Sequence, residues 1–266
     1  MISPDISFLS SEAFEEQYFL LNESEVLGRS NLYTLFRAFD ARLEQTVFVK
    51  VMAPSPLIQP IHLPALAALQ HPHLVALLNV FYLSPPPGSD YAQPLLVLVM
   101  NYVEGRPLSG FSLPLPLPQA DRIHQQLRAA ISYLHAQNWV HRDIKADNVL
   151  IAQIDDDWQA TLCDLEMAAP VGVIPELLVG TPEYMSAATA RMEALHPAQD
   201  YWSLGCLLYQ LLTGELPFGI RDFSMDAADA VTDLQNHIRQ SDISELVSRI
   251  PAEFQPFLTQ YWSLHV

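Results

Sequence analysis

Lysine is nearly missing from this chain. Only Lys50 and Lys145 occur, beside eleven arginines, so a site that keeps lysine wants a compact point cation rather than a planar fork. Cysteine is as scarce: Cys163 and Cys206 cannot form a disulfide framework. They read as two buried reduced thiols, a disulfide or metal pair being the alternative. No run approaches the roughly 18 apolar residues of a membrane-spanning helix. The longest apolar stretches, 75–83, 95–100 and 204–212, suit buried strands or helices, so no membrane insertion is expected. The first eleven residues lack a basic and then apolar leader, which points to the cytoplasm. Positive charge is short overall. A formal net charge of -17 argues against a nucleic-acid groove or an anionic membrane and leaves a protein, especially a basic one, as the compatible partner.

What is present is apolar and ordered in texture, half of the residues being hydrophobic, enough for a continuous core. Residues 1–25 read as an amino-terminal extension, helical around 12–20. Strands are expected at 32–39 and 46–52, joined as a hairpin, and again at 75–83 and 95–102, separated by a loop with three consecutive prolines. A short helix is expected at 62–70, with Pro64 tolerated only in its first turn. Beyond Gln119 the period becomes helical: Ile123, Leu127, Ala130, Ile131 and Leu134 recur at three and four. Short strands follow at 149–151 and 160–163, then helices at 201–212, stopped by Gly214, and at 227–240, 243–250 and 253–261. Strands first and helices afterwards predict an α+β fold: a small strand-rich lobe at 26–102 and a larger helical lobe at 103–266.

Between two apolar runs lies His141-Arg142-Asp143-Ile144-Lys145-Ala146-Asp147-Asn148-Val149-Leu150. A carboxylate, an ammonium and an amide within six residues, with a second carboxylate at Asp164, are the groups phosphoryl transfer needs. The run closely resembles the catalytic loop of eukaryotic-type serine/threonine protein kinases. The resemblance implies a bilobal kinase fold with a small antiparallel-sheet lobe. It implies that Asp143 orients and deprotonates an acceptor hydroxyl, Lys145 steadies the moving phosphoryl, and Asn148 and Asp164 hold Mg2+. His141 is expected to pack and hydrogen-bond. Elsewhere Val47-Phe48-Val49-Lys50 resembles the strand motif whose lysine pairs the ATP phosphates. Leu98–Gly105 resembles the hinge, with Met100 as gatekeeper and Asn101 and Val103 offering backbone groups to adenine, Leu150 also meeting the nucleotide. Gly180-Thr181-Pro182-Glu183-Tyr184-Met185 resembles the substrate-side loop, and Asp200-Tyr201-Trp202-Ser203-Leu204-Gly205 the start of the central helix, its aspartate tying down the catalytic loop.

The pattern also breaks. Of the glycine-rich loop only Gly28 remains, Ser30 and Tyr33 standing in glycine positions, and Tyr33 is expected to hold the loop away or cover the site. No acidic residue occupies the place of the glutamate that usually pairs the strand lysine; His62 stands there. Phe48 replaces the alanine that lies against adenine. Asp164-Leu165-Glu166 keeps the metal ligand and loses the glycine after it. Glu166 is placed to add a metal ligand or to partner Lys50. Ser186-Ala187-Ala188 replaces a triplet whose glutamate pairs a late arginine, and that arginine is missing too. The C-terminal end is therefore expected to be naturally shortened, or residues 262–266 to mark an artificial boundary. Residues 165–180 contain no Ser, Thr or Tyr, so no activating phosphorylation is expected there. Two functions follow: an ATP- and Mg2+-dependent serine/threonine kinase acting on a protein substrate, or a pseudokinase serving as a regulatory, protein-binding module. The oligomeric state is left open.

Overall fold

The computed structural model describes residues 18–20, 26–29, 32–56, 62–84, 93–154, 157–218 and 227–263. Ser30, most of the 1–25 extension and the three prolines at 85–87 lie outside them. The chain divides into two compact units, Met1–Gln70 with Val75–Glu104, and His71–Leu74 with Gly105–Val266. The fold is bilobal: the first unit is an antiparallel sheet and the second is mostly helical.

Strands β1 (Tyr18–Leu20), β2 (Val26–Arg29), β3 (Tyr33–Asp40), β4 (Gln45–Met52), β5 (Leu77–Leu83) and β6 (Leu95–Asn101) form the first unit's sheet. Its order is β1-β3-β4-β6-β5, with β2 also on β3. Alternation puts Phe36, Ala38, Val47, Val49, Val51, Leu95, Val97 and Val99 into one buried cluster. The sheet curls until its edges meet: the Tyr18 ring stacks on Phe81 at 5.9 Å, and Asn79 donates to the Tyr18 hydroxyl. Residues 18–20 are thus strand where a helix was expected, because this pairing outweighs their local pattern. The strand expected from residue 75 begins at Leu77. Ala76 N–H donates to Asn101 Oδ1 at 2.6 Å and its carbonyl accepts from Asn101 N–H, so one asparagine brackets the entry. The short helix is a single turn, Leu63–Leu66, with its proline in the first turn.

The second unit is built around two long helices, Leu117–Ala136 and Pro197–Thr213. The first buries Ile123, Leu127, Ala130, Ile131 and Leu134, the stripe its spacing predicts. The second opens with a capping box between His196 and Gln199 and closes at Gly214, whose φ of 83° is the left-handed stop. A hairpin of β9 (Val149–Ile154) and β10 (Asp157–Leu162), longer than the expected strands, is joined by β7 (Arg106–Pro107), while β8 (Trp139–Val140) pairs with β11 (Ala169–Pro170). Gln126 fastens the hairpin to its helix, accepting from Ala160 N–H and donating to the Trp158 carbonyl. Helices Ala227–Gln240, Ile243–Ser248 and Gln255–Ser263 complete the unit. The last of these inserts Trp262, fully buried, against Gly205. A Cβ at Gly205 would lie 2.6 Å from Trp262 Nε1, so glycine is what lets the indole in. No described helix is long and apolar enough to cross a membrane, and neither cysteine is in a disulfide.

One buried histidine gives the unit a pH dependence. His124 Nε2 lies 3.0 Å from the Tyr261 hydroxyl, and its ring meets Phe257 edge-on. Burial, then the Arg128 charge, pushes its pKa from 6.5 down to about 4 against the pull of Asp121. The folded state therefore binds this proton less tightly than the unfolded chain. Its contribution is whole above pH 6.5, fades as pH falls from 6.5 to about 4, and is gone below. The loss is of order 3 kcal/mol. His124→Gln is expected to flatten that part of the stability-against-pH curve. An unchanged slope in the variant would mean the histidine is not responsible.

Candidate active site

The loop after β8 is held from beneath by Asp200, in the first turn of Pro197–Thr213 and 1% exposed. Its Oδ2 accepts from His141 N–H at 2.8 Å and its Oδ1 from Arg142 N–H at 3.0 Å, while His135 Nε2 lies 2.8 Å from Oδ2. Those bonds turn the chain through Arg142, whose φ is 75°. Across the loop runs the buried His141 ring. Its Nδ1 accepts from Asp143 N–H, so Nε2 carries the proton and donates to the Cys163 carbonyl at 2.9 Å. The ring thereby ties the loop bearing Asp143 to the residue just before Asp164, a structural role as expected. Asp164 takes the left-handed conformation, φ 64° and ψ 52°, and leads into the one-turn helix Leu165–Met167 with Leu165 and Glu166 buried. The left-handed turn falls on the aspartate itself, a residue type that tolerates it.

Three side chains meet at Asp143. Its Oδ1 accepts from the Thr181 hydroxyl at 2.8 Å. Its Oδ2 accepts from Asn148 Nδ2 at 2.9 Å and lies 3.0 Å from Lys145 Nζ. Lys145 Nζ also donates to Thr181 Oγ1 at 2.7 Å. Asn148 gives a further bond to the Asp143 carbonyl, so its amide hydrogens are engaged and its oxygen is the atom left to face a cation. The motif places Thr181 on the substrate side; the structure adds its direct bond to Asp143. Gly180 makes that bond reachable. At φ 119° it passes so close to the Arg142 carbonyl that a Cβ would lie 2.7 Å away. Ile144, Pro175, Leu178, Tyr184, Met185 and Leu195 are among the residues lining a cavity beside Asp143 and Thr181.

Arg142 does something its motif did not announce. Its guanidinium donates to the carbonyls of Met167 at 3.3 Å and Leu177 at 3.5 Å, bracing the segment that has no phosphorylatable side chain. Burial lowers its pKa and the Asp200 carboxylate opposes that shift.

In the first unit, Gly28 on β2 pairs with Leu35 on β3, and Leu35 pairs with Lys50 on β4. Lys50 is buried, its Nζ 4.1 Å from the centre of the Tyr33 ring, so Tyr33 covers the ammonium. Phe48 pairs with Met100 on β6, and its ring packs on Tyr102 at 4.9 Å. Asn101 N–H is already bonded to Ala76, which leaves its carbonyl, with the half-buried Val103 following. In the second unit, Leu150 lies on β9 opposite Thr161 and next to Pro107.

Compared with known proteins, residues 21–265 match the protein kinase domain family. The chain belongs to that family. This kinase domain is 29% identical over 234 residues to serine/threonine-protein kinase PknB of Mycobacterium leprae, covering 82% of the chain and 35% of the relative. It is 31% identical over 214 residues to probable serine/threonine-protein kinase SCO3848 of Streptomyces coelicolor, covering 73% and 30%. It is 28% identical over 221 residues to serine/threonine-protein kinase PLK4 of Drosophila simulans, covering 79% and 28%. The kinase domain thus spans about a third of the length of these relatives.

Among the described residues no three His, Cys, Asp or Glu side chains cluster as a metal cage. Mg2+ takes one or two protein oxygens and completes its shell with phosphate and water. Asn148 and Asp164 are of that kind. The nucleotide end fits less well: Tyr33 and Phe48 place aromatic rings on the sheet face that carries Lys50.

Proposed function

We propose that this domain is a serine/threonine protein kinase, transferring the γ-phosphoryl group of ATP to a hydroxyl of a protein substrate in the cytoplasm. The observation that carries the reading is the contact set of Asp143: a hydroxyl donates to one carboxylate oxygen while an ammonium lies against the other. An acceptor hydroxyl would donate to the same carboxylate, and a moving phosphoryl would lie against the same ammonium. In the proposed roles, Asp143 orients the hydroxyl and takes its proton, and Lys145 offsets charge on the moving group. Lys50 pairs the α- and β-phosphates. Met100, the Asn101 carbonyl, Val103 and Leu150 hold the base, with Gly28 beside the phosphates. Bound ATP would supply the phosphoryl group, with Mg2+ held by Asn148 and Asp164.

Incubation with radiolabelled ATP, Mg2+ and a basic protein substrate is expected to yield phosphoserine or phosphothreonine. No incorporation over background at millimolar Mg-ATP would sink the reading. A second reading, a pseudokinase that binds a regulatory protein partner, is favoured by Phe48 on Tyr102 and Tyr33 on Lys50. Phe48→Ala tests the obstruction on which the second reading leans. Removing the phenyl is expected to tighten Mg-ATP binding by roughly 5–150-fold. Thermal-shift titration measures it, and unchanged affinity would show that the ring does not compete with the base.

A further inference from the structure

Directly opposed residues of an antiparallel pair share a face. Tyr33 opposes Met52 and Leu35 opposes Lys50, so Tyr33 is the diagonal neighbour of Lys50 on one face of the sheet. A long aromatic side chain reaches across that diagonal. This one does, its ring centre 4.1 Å from the ammonium nitrogen. The same ring also meets β2, where a Cβ built on Gly28 would lie 3.8 Å from Tyr33 Cε2. Tyr33 therefore spans the gap between Gly28 and Lys50, the two residues of this unit assigned to phosphate.

We infer that Tyr33 sets the affinity of this domain for polyphosphate: its ring is a lid on Lys50 that the phosphates of a nucleotide must displace. The inference rests on the proposed reading of Lys50 as the phosphate-binding cation. A phosphate oxygen approaching from the ring's side and the face of a phenol compete for the same ammonium. The ring holds it by its quadrupole, an attraction that grows when the pair is desolvated. Phosphate carries full charge and wins at high concentration; dilute, it loses. A small residue at 33 would impose no such threshold.

The scarcity of lysine supplies the test. With Lys50 and Lys145 the only side-chain amines, labelling of the intact domain by an amine-reactive ester, resolved by peptide, reads Lys50 with an internal control. The variants are Tyr33→Phe, which keeps the ring face, Tyr33→Leu, which keeps bulk without it, and Tyr33→Gly. Lys50 is expected to react faster in the Leu and Gly forms than in wild type or Phe, with Lys145 unchanged. Tripolyphosphate and Mg-ATP are expected to bind the Gly form roughly thirtyfold more tightly. Should Tyr33→Gly fail to fold, the comparison of Leu with Phe decides. A Lys50 rate indifferent to residue 33 overturns the lid. Faster labelling without tripolyphosphate or Mg-ATP binding in any variant overturns the inference at its premise, since Lys50 would be covered but would not bind phosphate.

Discussion

Asp143→Asn is expected to cut phosphoryl transfer roughly 10²- to 10⁴-fold, the range for a positioned proton acceptor. The substitution is nearly isosteric. Its amide oxygen can keep the bonds from Asn148 and Lys145, and the Thr181 hydroxyl can rotate to accept from the new NH2. Thermal stability should therefore hold while turnover collapses, and Mg-ATP binding should persist, because the change removes basicity and leaves the fold. Radiolabel incorporation and a thermal melt on the same preparation check both halves. Undiminished incorporation would remove Asp143 from the chemistry. A fall in activity matched by a fall in stability would show only that the loop had come apart.

The second large effect is on stability. Asp200→Ala leaves the N–H groups of His141 and Arg142 without their carboxylate, and His135 as well, around a carboxylate that is itself buried. Stranding buried polar groups in this way costs about 3–5 kcal/mol. That is a large fraction of the roughly 5–15 kcal/mol that holds a domain folded. The measurement is unusually clean. All four tryptophans, at 139, 158, 202 and 262, lie in the second unit, so urea unfolding followed by their fluorescence reports that unit. Asp200→Asn keeps one acceptor and should fall between the two. An Asp200→Ala midpoint indistinguishable from wild type would mean the loop is positioned by something else.

The catalytic loop was legible because its chemistry is local. Asp143, Lys145 and Asn148 lie within six residues, and a polar run between apolar segments is visible without a fold. Both large helices and most strands were legible for the same reason, periodicity being a property of neighbours. What escaped depends on distant residues. Nothing near position 18 says that Tyr18 will stack on Phe81, so a strand looked like a helix. Nothing near position 262 says that Gly205, far back in the chain, leaves room for the Trp262 indole. His124 reads as one polar residue on an apolar stripe; its partner Tyr261 is 137 positions away. Asn101 was expected at adenine through its backbone, and nothing in its own neighbourhood announced that its amide would bracket Ala76. Tyr33 was legible as an obstruction, while the cation it covers followed only from strand register.

Arg142 grips Met167 and Leu177 through main-chain oxygens, which every amino acid possesses. Neither the Met167 nor the Leu177 side chain takes part in the grip, so those two letters can change without removing its acceptors. No enzyme that adds or strips phosphate finds an attachment point there. The brace itself rests on a single guanidinium, while the pairing of β11 with β8 holds the middle of the segment independently of it.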